Sequence, residues 1–181
     1  MRRQSDKGFT LDLKTKIREV PDFPKAGILF YDITTLLADP AASRVVIDRL
    51  SAPYTDARID KVVGIESRGF IFGATLAERL NAGFVPVRKP GKLPAERIEE
   101  RYDLEYGSDV LCIHKDAILP GERVLVVDDL LATGGTMAAT AKLIKRLEGE
   151  IVALACVIEL LALKGRDKLK THTVFSLVTY D

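Results

Sequence analysis

Three short runs, KVVGI (61–65), VLVV (124–127) and IVALACVI (151–158), are continuously apolar, after Lys61 in the first, rather than apolar at alternate positions. A strand with one wet face alternates polar and apolar residues, whereas a strand covered on both faces does not. Sheets covered on both faces are typically parallel, because the helical crossovers that join parallel strands lie over the sheet. Such runs therefore require helices between them, and helical spacing is present there. FIFGATLAERL (70–80) and TMAATAKLIKRL (136–147) are Ala/Leu-rich, and the second ends on cations, which suit a helix C-terminus. Asp39 and Pro40 supply an N-cap and first residue for a helix over AASRVVIDRL (41–50). TLDLKTKIREV (10–20) puts Leu13, Ile17 and Val20 on one face and predicts another helix. GFVPV (83–87), DVLCIH (109–114) and THTVFSLVTY (171–180) read as further strands. The fold class is α/β, a mainly parallel central sheet flanked by helices.

No repeat, low-complexity tract or Ser/Gly linker divides the 181 residues, so one domain is expected over 1–181. The net charge of +1 supplies no broad basic field, which argues against nucleic-acid or membrane partners. Cys112 and Cys156 have no partners at metal-ligand spacing and point to a reducing compartment without a disulfide framework. The charged N-terminus MRRQSDKGFTLDLK lacks the apolar core of a secretory signal, and the apolar run 151–163 is interrupted by Glu159. A soluble, cytoplasmic protein is expected. One segment stands apart: RKPGKLPAERIEERYDLEY (88–106) carries ten charged residues among nineteen and reads as a lid or protruding excursion, too polar for the core.

The chemistry concentrates at VLVVDDLLATGGTM (124–137), an apolar strand running through two acids into a Gly-rich turn that opens a helix. Helix N-termini and successive backbone N–H groups bind anions. In Ala132, Thr133, Gly134, Gly135 and Thr136 the glycines allow close backbone approach and the threonines add hydroxyl donors. The loop is neither a Walker A motif nor G-x-G-x-x-G. Asp128 and Asp129 would repel a bare phosphate, yet carboxylates accept hydrogen bonds and so suit hydroxyl donors. A sugar phosphate satisfies both halves, its phosphate in the loop and its ring hydroxyls on the acids. VVGIESRGFIFG (62–73) repeats the strand–turn–helix logic with Glu66, Ser67 and Arg68 in the turn, where the Arg fork suits phosphate oxygens and Gly69 allows a tight turn.

These motifs resemble those of the type I phosphoribosyltransferases, and VVDDLLATGGT is similar to the version in members that act on adenine. The resemblance covers nearly the whole chain and implies that family's fold, with a small N-terminal hood (about 1–35) and a flexible catalytic loop (about 88–107). It implies a ribose-5-phosphate site at Asp128, Asp129 and 132–136. It also implies a pyrophosphate site at Glu66, Ser67 and Arg68, with a cis peptide near Glu66–Ser67 that turns amides toward the ligand. VRKPGKLP resembles the start of the catalytic loop, whose Arg88, Lys89 and Lys92 would close over the pyrophosphate. DLEYG (103–107) resembles its end and makes Glu105 the catalytic carboxylate, with Tyr106 beside it in the lid. Spacing alone does not separate Glu105 from Glu99, Glu100 or Asp103.

FPKAGILFYDIT (23–34) resembles the base-binding hood. Phe30 would stack on the purine, and main-chain groups of Leu29 and Tyr31 would read its 6-amino edge; many members carry Arg where this chain has Tyr31. His114 and His172 read as structural or solvent-facing, and no protein metal site is expected. Mg2+ would enter bound to the diphosphate substrate. The implied reaction transfers a phosphoribosyl group from 5-phosphoribosyl 1-diphosphate to adenine, in a homodimer. Two alternatives stand at this stage: a related enzyme for hypoxanthine, guanine or xanthine, and a non-catalytic regulator on the same fold.

Overall fold

A computed structural model of the chain describes residues 11–103 and 107–181. It divides into two compact units, Met1–Val46 and Ile47–Asp181, at a boundary inside a helix rather than at a linker.

In the first unit the helix expected over 10–20 does not form. Asp12 caps a single 3-10 turn, Leu13–Lys16, by accepting from Lys14 N at 3.0 Å, and the chain then becomes a strand, β1 (Arg18–Pro21). β1 pairs antiparallel with β2 (Leu29–Asp32). An eleven-residue helix is marginal by itself, and β-branched Val20 favours the extended ladder that β2 offers. After β2, Asp32 accepts from both Thr34 N and Thr34 Oγ1 at 2.8 Å and starts the short helix α1 (Thr34–Ala38). α2 (Pro40–Ser51) begins as the sequence predicts: Asp39 Oδ1 accepts from Ala41 N at 2.9 Å and Ala42 N at 3.1 Å. Lys16 bonds the same Asp39 side chain at 2.8 Å, and this together with the two cap bonds holds its carboxyl below the usual range.

In the second unit the elements are β3 (Lys61–Ile65), α3 (Gly69–Arg79), β4 (Gly83–Val87), β5 (Arg97–Asp103), β6 (Ser108–His114), β7 (Arg123–Leu131), α4 (Gly135–Arg146), β8 (Glu150–Leu160) and β9 (Val174–Tyr180). Five of them form one parallel sheet in the order β4-β3-β7-β8-β9. Its three central strands are the three continuous apolar runs. Val62, Val63, Leu125, Val126, Leu154 and Ala155 are fully buried, and burying each Val or Leu side chain stabilises by about 1.5–3 kcal/mol. From β3 the chain crosses through α3 to β4 on one side, and from β7 it crosses through α4 to β8 on the other. The order reverses between β3 and β7, and ligands of open α/β sheets bind beyond the strand ends at such a point.

The polar segment 88–106 is not wholly an excursion. Arg97–Asp103 forms β5 and pairs antiparallel with β6 in a separate two-stranded ribbon. Ile98 and Tyr102 pack against the hydrophobic core, while Arg97, Glu99 and Arg101 on the alternate positions are exposed. Glu100 pairs with Lys142 at 3.1 Å and Arg146 at 3.5 Å, and Arg146 also donates to Glu99 O at 2.6 Å, fastening the ribbon to α4. Among the described residues no helix is long and apolar enough to cross a membrane.

Candidate active site

The register sets the site. Gly64 of β3 aligns with Val127 of β7, so the turn Glu66–Arg68 leaves the sheet level with Asp128 and Asp129. α3 presses directly onto β7 there: a Cβ on Gly69 would lie 2.8 Å from Val127 O and 3.0 Å from Asp128 Oδ1. Glycine at 69 is thus required by space at the helix start rather than by a tight turn, which corrects the reading from sequence.

β7 continues through both acids to Leu131, and neighbouring residues of a strand point to opposite faces. Asp128 Oδ1 accepts from Asp129 N at 2.8 Å. Burial, and then the neighbouring Asp129 charge, push the Asp128 carboxyl well above the usual carboxylate range. Asp129 is also buried, with Arg68 Nε 2.8 Å from its Oδ2. That ion pair is the contact Oδ2 makes, and the oxygen takes no further hydrogen bond among the described residues. A buried carboxylate oxygen in this condition favours a ligand that brings a donor.

Beyond β7 the chain turns through Gly134, whose φ of +76 places it in the left-handed region that glycine adopts without cost. α4 starts at the next residue with no side-chain cap, so the N–H groups of its first turn lack intrahelical partners and carry the positive end of the helix dipole. Arg68, Asp129 and the loop 130–137 line a hollow of about 200 Å³. Of the residues expected at the ribose-5-phosphate site, Asp129, Ala132, Thr133, Gly134, Gly135 and Thr136 share this hollow, whereas Asp128 is buried against Gly69 and does not line it. The hollow also has Leu130, Leu131 and Met137 in its lining, apolar members of the motif to which residue chemistry alone assigns no ligand role.

The expected pyrophosphate residues are divided. Arg68 lines the hollow; Glu66, Ser67, Arg88, Lys89 and Lys92 do not. The Glu66–Ser67 peptide is cis, as the resemblance implies. Glu66 Oε2 accepts from Arg88 Nε at 3.2 Å and Lys89 N at 3.0 Å. Burial raises the Glu66 carboxyl, but these bonds and the cations of Arg88 and Lys92 outweigh it, and the group sits below its ordinary range. Arg88 also donates to Lys92 O at 3.0 Å and lies 5.9 Å from the Phe70 ring centre. The Lys89 ammonium bonds Asp109 and lies 5.9 Å from the Tyr102 ring centre, both on the β5–β6 ribbon. Asp109 carried no motif that would have singled it out. Glu105 and Tyr106, assigned to catalysis and the lid, lie outside the described residues.

The base-reading residues lie in the Met1–Val46 unit. Phe30 meets Phe23 edge-on, ring centres 5.1 Å apart at 70°. Leu29 is 42% exposed and faces Pro21 in the ladder. Proline has no N–H, so Pro21 donates nothing to the Leu29 carbonyl. Burial and then Glu19, opposite in the register, push the Tyr31 phenol upward. No group of three or more His, Cys, Asp or Glu able to hold a metal ion occurs among the described residues.

Comparison with known proteins places these features in a family. Residues 32–180 match the model of the phosphoribosyl transferase domain. A Solibacter usitatus protein named adenine phosphoribosyltransferase is 62% identical over 170 residues, covering 94% of this chain and 98% of the relative. The crystal structure of adenine phosphoribosyltransferase from Thermoanaerobacter pseudethanolicus superposes with a TM-score of 0.90 at 52% identity, covering 93% of this chain and 98% of that one. The Saccharomyces cerevisiae enzyme, complexed with an imino-altritol bisphosphate and adenine, gives 0.86 at 46% identity, covering 91% and 96%.

Proposed function

The chain belongs to the phosphoribosyl transferase family, within it to the adenine phosphoribosyltransferases, and from that premise we propose that it transfers the 5-phosphoribosyl group of 5-phosphoribosyl 1-diphosphate to adenine, giving AMP and pyrophosphate in purine salvage. The observation that carries the reading from this chain's own geometry is the pairing, in one hollow, of an uncapped helix N-terminus with the buried carboxylate of Asp129, whose Oδ2 is held among the described residues only by the Arg68 ion pair. The first end receives a phosphate and the second a sugar hydroxyl, and a phosphoribosyl ligand presents both.

In this reading the amides of 134–137 and the hydroxyls of Thr133 and Thr136 bind the 5-phosphate, and Asp129 accepts from a ribose hydroxyl. Asp128 supports Asp129 from below through the bond to its N–H. Arg68 shifts from Asp129 toward the diphosphate, joined by the Ser67 amide. Arg88, Lys89 and Lys92 close over the leaving group once Glu66 and Asp109 share them with it. Displacement at the anomeric carbon develops oxocarbenium character, which the Glu105 carboxylate stabilises. Phe30 stacks on the base, and the Leu29 carbonyl and the Tyr31 main chain read its 6-amino edge.

Magnesium, carried in on the diphosphate, supplies charge neutralisation of the leaving group. A cytoplasmic homodimer completes the proposal, and the two cysteines, both buried free thiols, support a reducing compartment. The test is a panel of bases with one ribose donor and magnesium, following pyrophosphate release. Turnover is expected with adenine. Turnover with a 6-oxopurine in its place overturns the base assignment, and donor binding without turnover by any base overturns the reaction.

A further inference from the structure

The phosphate loop does not stand alone: its underside rests on a second turn that the sequence motifs leave unused. A Cβ built on Gly134 would lie 2.3 Å from Gly165 O, and one built on Gly165 would lie 2.3 Å from Ala132 O and 3.1 Å from Gly134 N. Cβ atoms essentially never come within 3.0 Å of another heavy atom, so the two backbones touch only because both positions are glycine. Gly165 opens a short 3-10 turn, Gly165–Lys168, and is followed by Arg166.

Arg166 is fixed with unusual completeness. Its Nε and Nη2 meet Glu159 Oε1 and Oε2 at 2.6 and 2.7 Å, a two-pronged pair. Nη2 also reaches Ser176 Oγ at 3.2 Å, and Nη1 donates to Val174 O at 3.1 Å. Ser176 Oγ donates to Glu159 Oε2 at 2.6 Å. Glu159 is only 3% exposed and stands near the end of β8, while Val174 and Ser176 belong to β9. A planar fork held bidentately loses little freedom per bond and fixes direction as well as distance. Leu169, 1% exposed and part of the core, pins the far end of the turn.

We propose that Glu159, Arg166 and Ser176 are positioning residues for the ribose donor, holding the Gly165 backbone against Ala132 and Gly134 so that the loop amides converge on the 5-phosphate. Strand β8 and its edge neighbour β9 thereby set the geometry of a loop that follows the central strand β7. The inference rests on the assigned phosphoribosyl site, because the contact reaches only the loop. It explains why a charged residue interrupts the apolar run 151–163: Glu159 is the buried end of a brace.

The experiment compares wild-type protein with Glu159→Gln, Ser176→Ala and Arg166→Lys. Hydrogen exchange at the amides of 132–137 is read without substrate, and donor and adenine KM are read separately with kcat. Arg166→Lys keeps the charge but loses the fork and is expected to behave like Glu159→Gln. Faster exchange confined to 132–137 and the 164–169 turn is expected, with donor KM raised about tenfold and adenine KM unchanged; a misplacement of ~1 Å can cost as much as ~10²-fold. Ser176→Ala, which removes the two hydroxyl bonds and leaves the Arg166–Glu159 pair, is expected to show a smaller change in the same direction. Unchanged loop exchange overturns the inference, as does a rise in both KM values together or a fall in melting temperature without a donor effect. Hydrogen exchange needs no turnover, so failure of the adenine assignment would leave this result readable on its own.

Discussion

Asp129→Asn separates a ligand-reading acid from a structural one. The wild-type carboxylate does three things: it pairs with Arg68 at 2.8 Å, it raises the Asp128 carboxyl by proximity, and it stands in the lining of the hollow with an acceptor oxygen that Arg68 would free on moving to the diphosphate. The first two oppose each other in stability. Losing the Arg68 pair destabilises and relieving repulsion toward buried Asp128 stabilises, so the two changes offset each other and the melting temperature is expected to move little. The third acts only when ligand arrives. A hydrogen bond to a charged group contributes about 1.5–3 kcal/mol, and about 1.4 kcal/mol is tenfold, so kcat/KM for the ribose donor should fall roughly 10- to 150-fold. Steady-state kinetics with the donor varied at saturating adenine, alongside thermal melts, gives both numbers. An unchanged donor kcat/KM would falsify the hydroxyl-acceptor role. A large loss of melting temperature that tracks the loss of activity would instead make Asp129 a fold staple.

Asp128→Asn is expected to hold or raise stability at neutral pH. The folded state raises this acid, so its favourable contribution is complete below the ordinary range and is lost as pH rises through the folded value. Denaturation from about pH 4 to about pH 8 should show a flatter profile, since the amide oxygen can still accept from Asp129 N. A marked destabilisation near neutrality would contradict it. Glu66 has the opposite sign. Held below its ordinary range, it stabilises above that range and loses the effect as pH falls through its lowered value, so Glu66→Gln should erase a step of about 1 kcal/mol or less on the acid limb, read by melts. Glu105→Gln should lower kcat on the order of 10²-fold while donor binding is kept, and a change in binding alone would reassign it.

The core of the sheet was legible because strands buried on both faces are apolar throughout, and the β-branched residues of VLVV and IVALACVI favour the extended form. The loops were legible where conformation itself demands a residue, as Gly134 does with its φ of +76. Residues 10–20 were misread because helical spacing and a short strand coexist in them, and only the hydrogen bonds of β2 decide between the two. β5 was hidden by its charge count, although Ile98, Glu100 and Tyr102 alternate with exposed neighbours in the two-residue rhythm of a strand.

The sequence alone therefore determined the layers, the two strand–turn–helix motifs and the class of ligand, since these depend on contacts between near neighbours and on residue chemistry. Only the tertiary structure decided that Asp129 lines the hollow while Asp128 is buried against Gly69, that Lys89 is held by Asp109, and that Gly165 abuts Gly134. Those facts depend on strand register and on backbones meeting across long stretches of chain, and a linear pattern does not encode which distant atoms come within 3 Å.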